Sequence, residues 1–194
     1  MKEKFMFNPF SGVLKEDIDK IIVPCFNVEE VFEQIENSTS LAIEFIGRQG
    51  RGKTTHLKYL QNQIPHYPIF LLDGNDDFSE IIQHKSEVVF VDSIHHLSLT
   101  KRIKLFKRKR VVIYTTHWNR KFECLIAKKK RHCILFKGID SDKLKELLNK
   151  RLQLAAATDL DKKDLFTIDA TDKLIKTYSD NYRGIINHLY EKFQ

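Results

Sequence analysis

Apolar residues along this chain fall in two rhythms. Compact runs of strand length predict five strands, because a parallel strand covered on both faces needs apolar side chains in both directions. These runs are Leu41 to Ile46, Tyr67 to Leu72, Val88 to Asp92, Val111 to Thr115 and Cys133 to Phe136. Between them, helical spacing predicts helices over Val28 to Glu36, Thr55 to Leu60, Phe78 to His84, Leu97 to Lys109 and Asn119 to Lys130. Asn27, three residues before Glu30, reads as the cap of the first of these, and Asp73-Gly-Asn-Asp76 reads as a turn. Past Gly138 the strand runs stop, and Ser141 to Ala157, Asp169 to Ser179 and Arg183 to Phe193 predict three helices. The pattern predicts an α/β core with a parallel five-stranded sheet over residues 1–138 and a small C-terminal α-helical lid over 139–194, with the break near Ile139.

The junction after the first predicted strand carries candidate chemistry. Gly47, Arg48, Gln49, Gly50, Arg51, Gly52, Lys53 and Thr54 fit G-x-x-x-x-G-K-[ST], between a strand and a helix that begins near Thr55. Glycines at that spacing let backbone N–H groups and the helix N-terminus wrap a polyphosphate. Lys53 is then expected to reach the β- and γ-phosphates of a nucleoside triphosphate, and the Thr54 hydroxyl to ligate magnesium. Glu87-Val-Val-Phe-Val-Asp92 supplies the second expected part, an aspartate at the carboxyl edge of a buried strand, where open α/β sheets bind ligands. Asp92 is expected to hold the magnesium.

Composition adds a cationic surface to this picture. The 194 residues are 42% hydrophobic and 30% charged, as in a globular chain, with a net charge of +7. No run approaches a membrane span and Met1-Lys-Glu-Lys lacks an apolar leader, so a cytoplasmic protein without membrane contact is expected. Cys25, Cys124 and Cys133 are scattered and read as reduced thiols, and the histidines lack metal spacing. Lys101 to Arg110 holds seven cations in ten residues, and Lys128 to Arg131 adds four more. Lys101, Arg102, Lys104, Lys107, Arg108 and Arg110 are expected to meet nucleic-acid phosphates without reading sequence. Solvation alone, or an acidic partner protein, are the competing readings of such a face.

With these parts in order, the chain resembles an AAA+ ATPase, within the clade of origin-recognition-type replication initiators, ExeA-like secretion ATPases, and IstB- and TniB-like transposition ATPases. The resemblance rests on Asn8-Pro9-Phe10, the phosphate loop, Val91-Asp-Ser-Ile-His-His-Leu97, Leu135 to Arg151, and Asp180-Asn-Tyr-Arg183. It implies ATP and Mg2+ as cofactors, and a homo- or hetero-oligomer formed through the nucleotide site. It also implies that Thr115 or Thr116 contacts the γ-phosphate or orients water, and that Arg183 reaches the phosphates from the lid. By the same resemblance Arg131 is an arginine finger for a neighbouring subunit, although Lys128 to Arg131 also reads as a solvated basic run. The adenine pocket is implied near Pro9, Phe10 and Ile22.

One position departs from the family chemically. Where the resemblance implies a glutamate after the magnesium aspartate, this chain has Ser93. That glutamate acts as general base, a role worth roughly 10²–10⁴ in rate, which a serine hydroxyl cannot fill unaided at neutral pH. Slow or partner-dependent hydrolysis is therefore expected, unless His95 or His96 substitutes. The leading reading is a DNA-associated ATPase or nucleotide switch that recruits or regulates a partner factor. The alternative is a nucleotide-gated assembly module for a partner protein, of defence or secretion type, without direct DNA binding. A small phosphotransferase is disfavoured by the lid pattern and Arg183.

Overall fold

The computed structural model describes residues 4–75, 78–179 and 181–194, so Asp76 of the expected turn and Asp180 of the quoted lid stretch lie outside the described residues, as do residues 1–3. In chain order the elements are α1 (Ile18–Ile21), α2 (Val28–Asn37), β1 (Leu41–Ile46), α3 (Lys53–Gln63), β2 (Ile69–Leu71), α4 (Phe78–Gln83) and β3 (Val88–Asp92). They continue with α5 (Leu99–Arg108), β4 (Val111–Thr116), α6 (Lys121–Ile126), β5 (Lys130–Leu135), α7 (Ser141–Ala155), α8 (Ile168–Tyr178) and α9 (Tyr182–Lys192). They fall into two compact units, one of residues 24–48 and 53–136, the other of 4–23, 49–52 and 137–194.

The first unit is a parallel sheet of strand order β2-β3-β4-β1-β5. Alternation along β1 divides its core. Leu41, Ile43 and Phe45 pack with Val31 and Ile35 of α2 and Leu57 and Leu60 of α3. On the opposite face Ala42, Val89, Val91, Val112 and Tyr114 pack under Ile81 of α4, Leu105 and Phe106 of α5 and Cys124 of α6. α2 starts where expected, because the Asn27 side chain accepts the Glu30 N–H at 3.2 Å.

β2 covers only Ile69–Leu71 of the expected Tyr67 to Leu72, β5 starts at Lys130 and not at Cys133, and α5 and α6 differ from expectation for local reasons. α5 begins only at Leu99, after a 3-10 turn over Ile94–His96, because the Ser98 side chain caps it. α6 is much shorter than Asn119 to Lys130. Lys128 adopts a left-handed φ of 54°, which ends the helix and lets β5 begin at Lys130. Lys129, inside the expected cationic run, is buried and donates to the carbonyls of Lys109 and Arg110 at 2.6 and 2.7 Å. Burial lowers its ammonium pKa to about 8.

The second unit has its own core of Phe10, Leu144, Leu148, Leu152, Ile185 and Leu189. Phe10 belongs there because its ring meets Phe166 and Phe193 edge-on, at 6.1 and 5.0 Å between centroids. Arg151 of α7 ties the N-terminal segment down by donating to the carbonyls of Pro9 and Ser11, at 3.0 and 2.6 Å. Side chains of Asp140, Thr167 and Asn181 cap α7, α8 and α9. Among the described residues no helix is long and apolar enough to cross a membrane.

Candidate nucleotide site

The carboxyl edge of the sheet gathers the residues picked out by motif. Gly47 leaves β1 beside Phe136, just past the end of β5. A Cβ there would lie 2.5 Å from the Phe136 carbonyl oxygen and 3.0 Å from the Phe136 Cβ, so a side chain is excluded. Gly50 and Gly52 both adopt φ of 80°, a turn conformation suited to glycine. Lys53, buried at the start of α3, donates to the carbonyls of Gly47 at 2.7 Å and Arg48 at 2.8 Å. Its charge is thus held at the mouth of the loop by main-chain oxygens that a phosphate would outcompete.

Hydroxyls converge on Asp92. Thr54 donates to its two carboxylate oxygens at 2.9 and 3.1 Å, Thr115 at 2.6 Å, and Ser93 at 3.4 Å. The Ser93 N–H in turn donates to the Thr115 Oγ1 at 2.7 Å, which fixes strand end β3 to strand end β4. A hard cation such as magnesium takes one or two protein oxygens and fills its remaining positions with water and phosphate oxygens. The adjacent Thr54 hydroxyl and Asp92 carboxylate fit that demand. Among the described residues no cluster of three His, Cys, Asp or Glu side chains offers a different metal site.

The two threonines of β4 part company. Thr115 meets Asp92, whereas Thr116 is occupied by its own turn, donating to the Trp118 carbonyl at 3.0 Å and accepting from Arg120 Nε at 3.2 Å. Next to them stands a group that motif reading missed. His117 Nδ1 lies 3.2 Å from the Gly47 carbonyl, and its ring centroid is 4.9 Å from that of His95. The available signal was its position, directly after β4 at the edge where the other site residues emerge. The His95 Nδ1 is buried without a hydrogen-bond partner. Burial first, then His96, His117 and Arg120, lowers the His95 pKa, so its imidazole is neutral at pH 7.

Loop residues Gln49–Gly52 cluster with the helical unit. A Cβ on Gly50 would fall 2.8 Å from the Asn181 Oδ1 and 3.6 Å from the Arg183 Cβ, which places the loop tip directly against the start of α9. Arg183 itself is exposed in the first turn of that helix. Arg48 and Gln49 are also exposed, and Arg51 and Thr55 are half-buried.

Three expected cations are turned to other work. Arg131 lies inside β5, not before it, and its guanidinium is bound to Glu44, donating through Nε at 2.8 Å and also through Nη2. Glu44 is 0% exposed on the interior strand β1, and it also accepts from the Tyr114 hydroxyl and the Arg120 N–H. A carboxylate buried that deeply requires its counter-ion, so the expectation of Arg131 as a finger for a neighbour does not hold in this geometry. Arg131→Ala is expected to lower unfolding free energy by about 3–5 kcal/mol, measured by urea denaturation, because it strands the Glu44 charge. Arg102 likewise leaves the cationic face. It is buried, donating to Glu123 at 3.2 and 3.1 Å and to the Leu97 carbonyl. Arg110 is half-buried, donating to the carbonyls of Ile35 and Ser38. Lys101, Lys104, Lys107 and Arg108 remain exposed.

No family model matches the sequence, and no curated protein is significantly similar to it. Solved structures do resemble it. AMPPCP-bound DnaA from Aquifex aeolicus aligns with a TM-score of 0.51 at 15% identity, over 90% of this chain and 68% of that one. The RuvB Holliday junction branch migration motor of Thermotoga maritima aligns with a TM-score of 0.55 at 16% identity, over 86% and 61%. A DNA replication initiation factor aligns with a TM-score of 0.50 at 14% identity, over 88% and 66%. The chain thus spans 61 to 68% of the length of these structures. What it shares with them is the fold, an α/β architecture with a five-stranded parallel sheet and a helical C-terminal region.

Proposed function

We propose that this protein binds ATP with magnesium and acts as a slowly hydrolysing nucleotide switch on or near DNA, recruiting or regulating a partner factor. The observation that carries the nucleotide reading is the pairing of Lys53 at the loop carbonyls with Thr54 on Asp92. On this reading Lys53 binds the β- and γ-phosphates, and Thr54 and Asp92 hold magnesium, which neutralises phosphate charge. Thr115 positions Asp92 and the backbone of Ser93. Arg183 supplies the phosphate contact of the helical region, and residues 139–194 serve as the lid. Assembly into an oligomer through the nucleotide site belongs to the same proposal. Two aligned structures support it by their descriptions, one as nucleotide-analogue-bound DnaA and one as a branch migration motor. ATP binding, measured by calorimetry with and without magnesium, tests the nucleotide reading.

For DNA, the support is the exposed row Lys101, Lys104, Lys107 and Arg108 on α5. Replacing all four by glutamine is expected to weaken duplex binding on every sequence alike. For every phosphate left without its cation, the log–log salt dependence should flatten by roughly 0.9. A filter-binding salt titration checks this, and absence of duplex affinity at low salt in the unaltered protein removes the DNA reading. Ser93 favours the second reading, in which the nucleotide gates assembly with a partner protein and DNA is not touched.

A further inference from the structure

α6 is an amphipathic helix facing outward. Its inner side holds Glu123 and Cys124, both buried, while Phe122, Leu125 and Ile126 on its outer side are 63%, 71% and 38% exposed. Trp118, just before the helix, is 64% exposed. Within α6, Phe122, Leu125 and Ile126 are spaced i, i+3 and i+4, the stripe by which a helix is normally buried, and Trp118 lies just outside the helix. None of the four is in the unit's hydrophobic clusters, although the Trp118 ring lies against His95, His117 and Arg120, and a ridge of this kind marks an interaction surface.

Charge identifies the occupant. Between Leu99 and Phe136 there is a single acid, Glu123, and it is turned inward onto Arg102 and Arg120. The exposed charges flanking the ridge are therefore the cations Lys121, Lys128 and Lys130, and α5 beside it adds its own exposed row. Leu125 and Ile126 neither stack on bases nor bond phosphates, so the ridge suits protein better than nucleic acid. We infer that the Trp118–Ile126 ridge docks an acidic amphipathic helix of a partner protein, whose apolar stripe covers Phe122 and Leu125 while its carboxylates meet the surrounding lysines. This rests on exposure and charge alone and stands or falls separately from ATP binding.

Trp118 is the only tryptophan of the chain, so its emission reports on the ridge directly. The probe is a synthetic helical peptide with leucines on one face and glutamates on the other, compared with the same peptide carrying lysines for glutamates. The glutamate peptide is expected to bind with a blue shift of Trp118 emission. Phe122→Ser with Leu125→Ser, which touches only exposed positions and should leave circular dichroism unchanged, is expected to weaken that binding at least tenfold. Lys121→Gln with Lys128→Gln should weaken it and reduce its salt dependence. Equal binding of the lysine peptide, no shift of Trp118, or indifference to the Phe122/Leu125 change overturns the inference. Binding of oligo(dT) that quenches Trp118 and depends on Phe122 would make the ridge a nucleic-acid platform instead. Sedimentation showing self-association abolished by the same double substitution would make the occupant a second copy of this chain, and would equally overturn it.

Discussion

Lys53→Ala is expected to remove tight ATP binding, by about 100-fold or more in dissociation constant. The ammonium is held at the loop mouth by the carbonyls of Gly47 and Arg48, and a charge-assisted contact with phosphate of this kind contributes about 3 kcal/mol. The fold should survive, since alanine is well accommodated at the start of α3. Asp92→Asn should act differently. The amide keeps two polar atoms for Thr54 and Thr115 but loses the negative charge, so binding in magnesium should fall while metal-free binding changes little. Calorimetric titration with magnesium and with a chelator separates the two. ATP affinity unchanged in Lys53→Ala would end the nucleotide-site assignment.

Ser93→Glu is expected to raise steady-state phosphate release by roughly 10²-fold, because it supplies a carboxylate beside the γ-phosphate position that the unaltered chain lacks. Ser93 adopts φ 58° and ψ 44°, with its hydroxyl turned to Asp92 and its N–H held by Thr115. The backbone contact does not depend on the side chain, so the substitution keeps the strand ends joined. Slow turnover of the unaltered protein is the matching expectation. His95 offers a competing base, since its buried Nδ1 is unpartnered and its imidazole is neutral at pH 7. If it serves, the rate must fall as pH drops through its lowered pKa, because the protonated ring has no lone pair to accept with, and His95→Ala must abolish that acid limb. Rapid phosphate release that persists in the His95→Ala, His96→Ala double variant would place the base elsewhere.

What local sequence determined is visible in particular residues. β1 and β3 follow their runs to the residue, since a strand with both faces buried is marked by a nearly continuous apolar stretch, which only Glu44 interrupts in β1. Asn27 set α2 at its expected start through a hydrogen bond to a residue three positions on, and Gly47 to Thr54 needed only the order strand, glycines, helix. Tertiary structure decided which cations face water. Arg102, Lys129 and Arg131 look alike in a basic run, yet each is drawn inward by a group distant in sequence: Glu123, the carbonyls of Lys109 and Arg110, and Glu44. It also decided that Phe122, Leu125 and Ile126, apolar residues of one short helix, stand in solvent. The left-handed turn at Lys128 ends α6 after two turns, and Glu123 and Cys124 take its inner face. Charge and apolar side chains state what a residue prefers; the sheet, by fixing the few buried places where a guanidinium or a ring finds its counterpart, settled which of them obtained it.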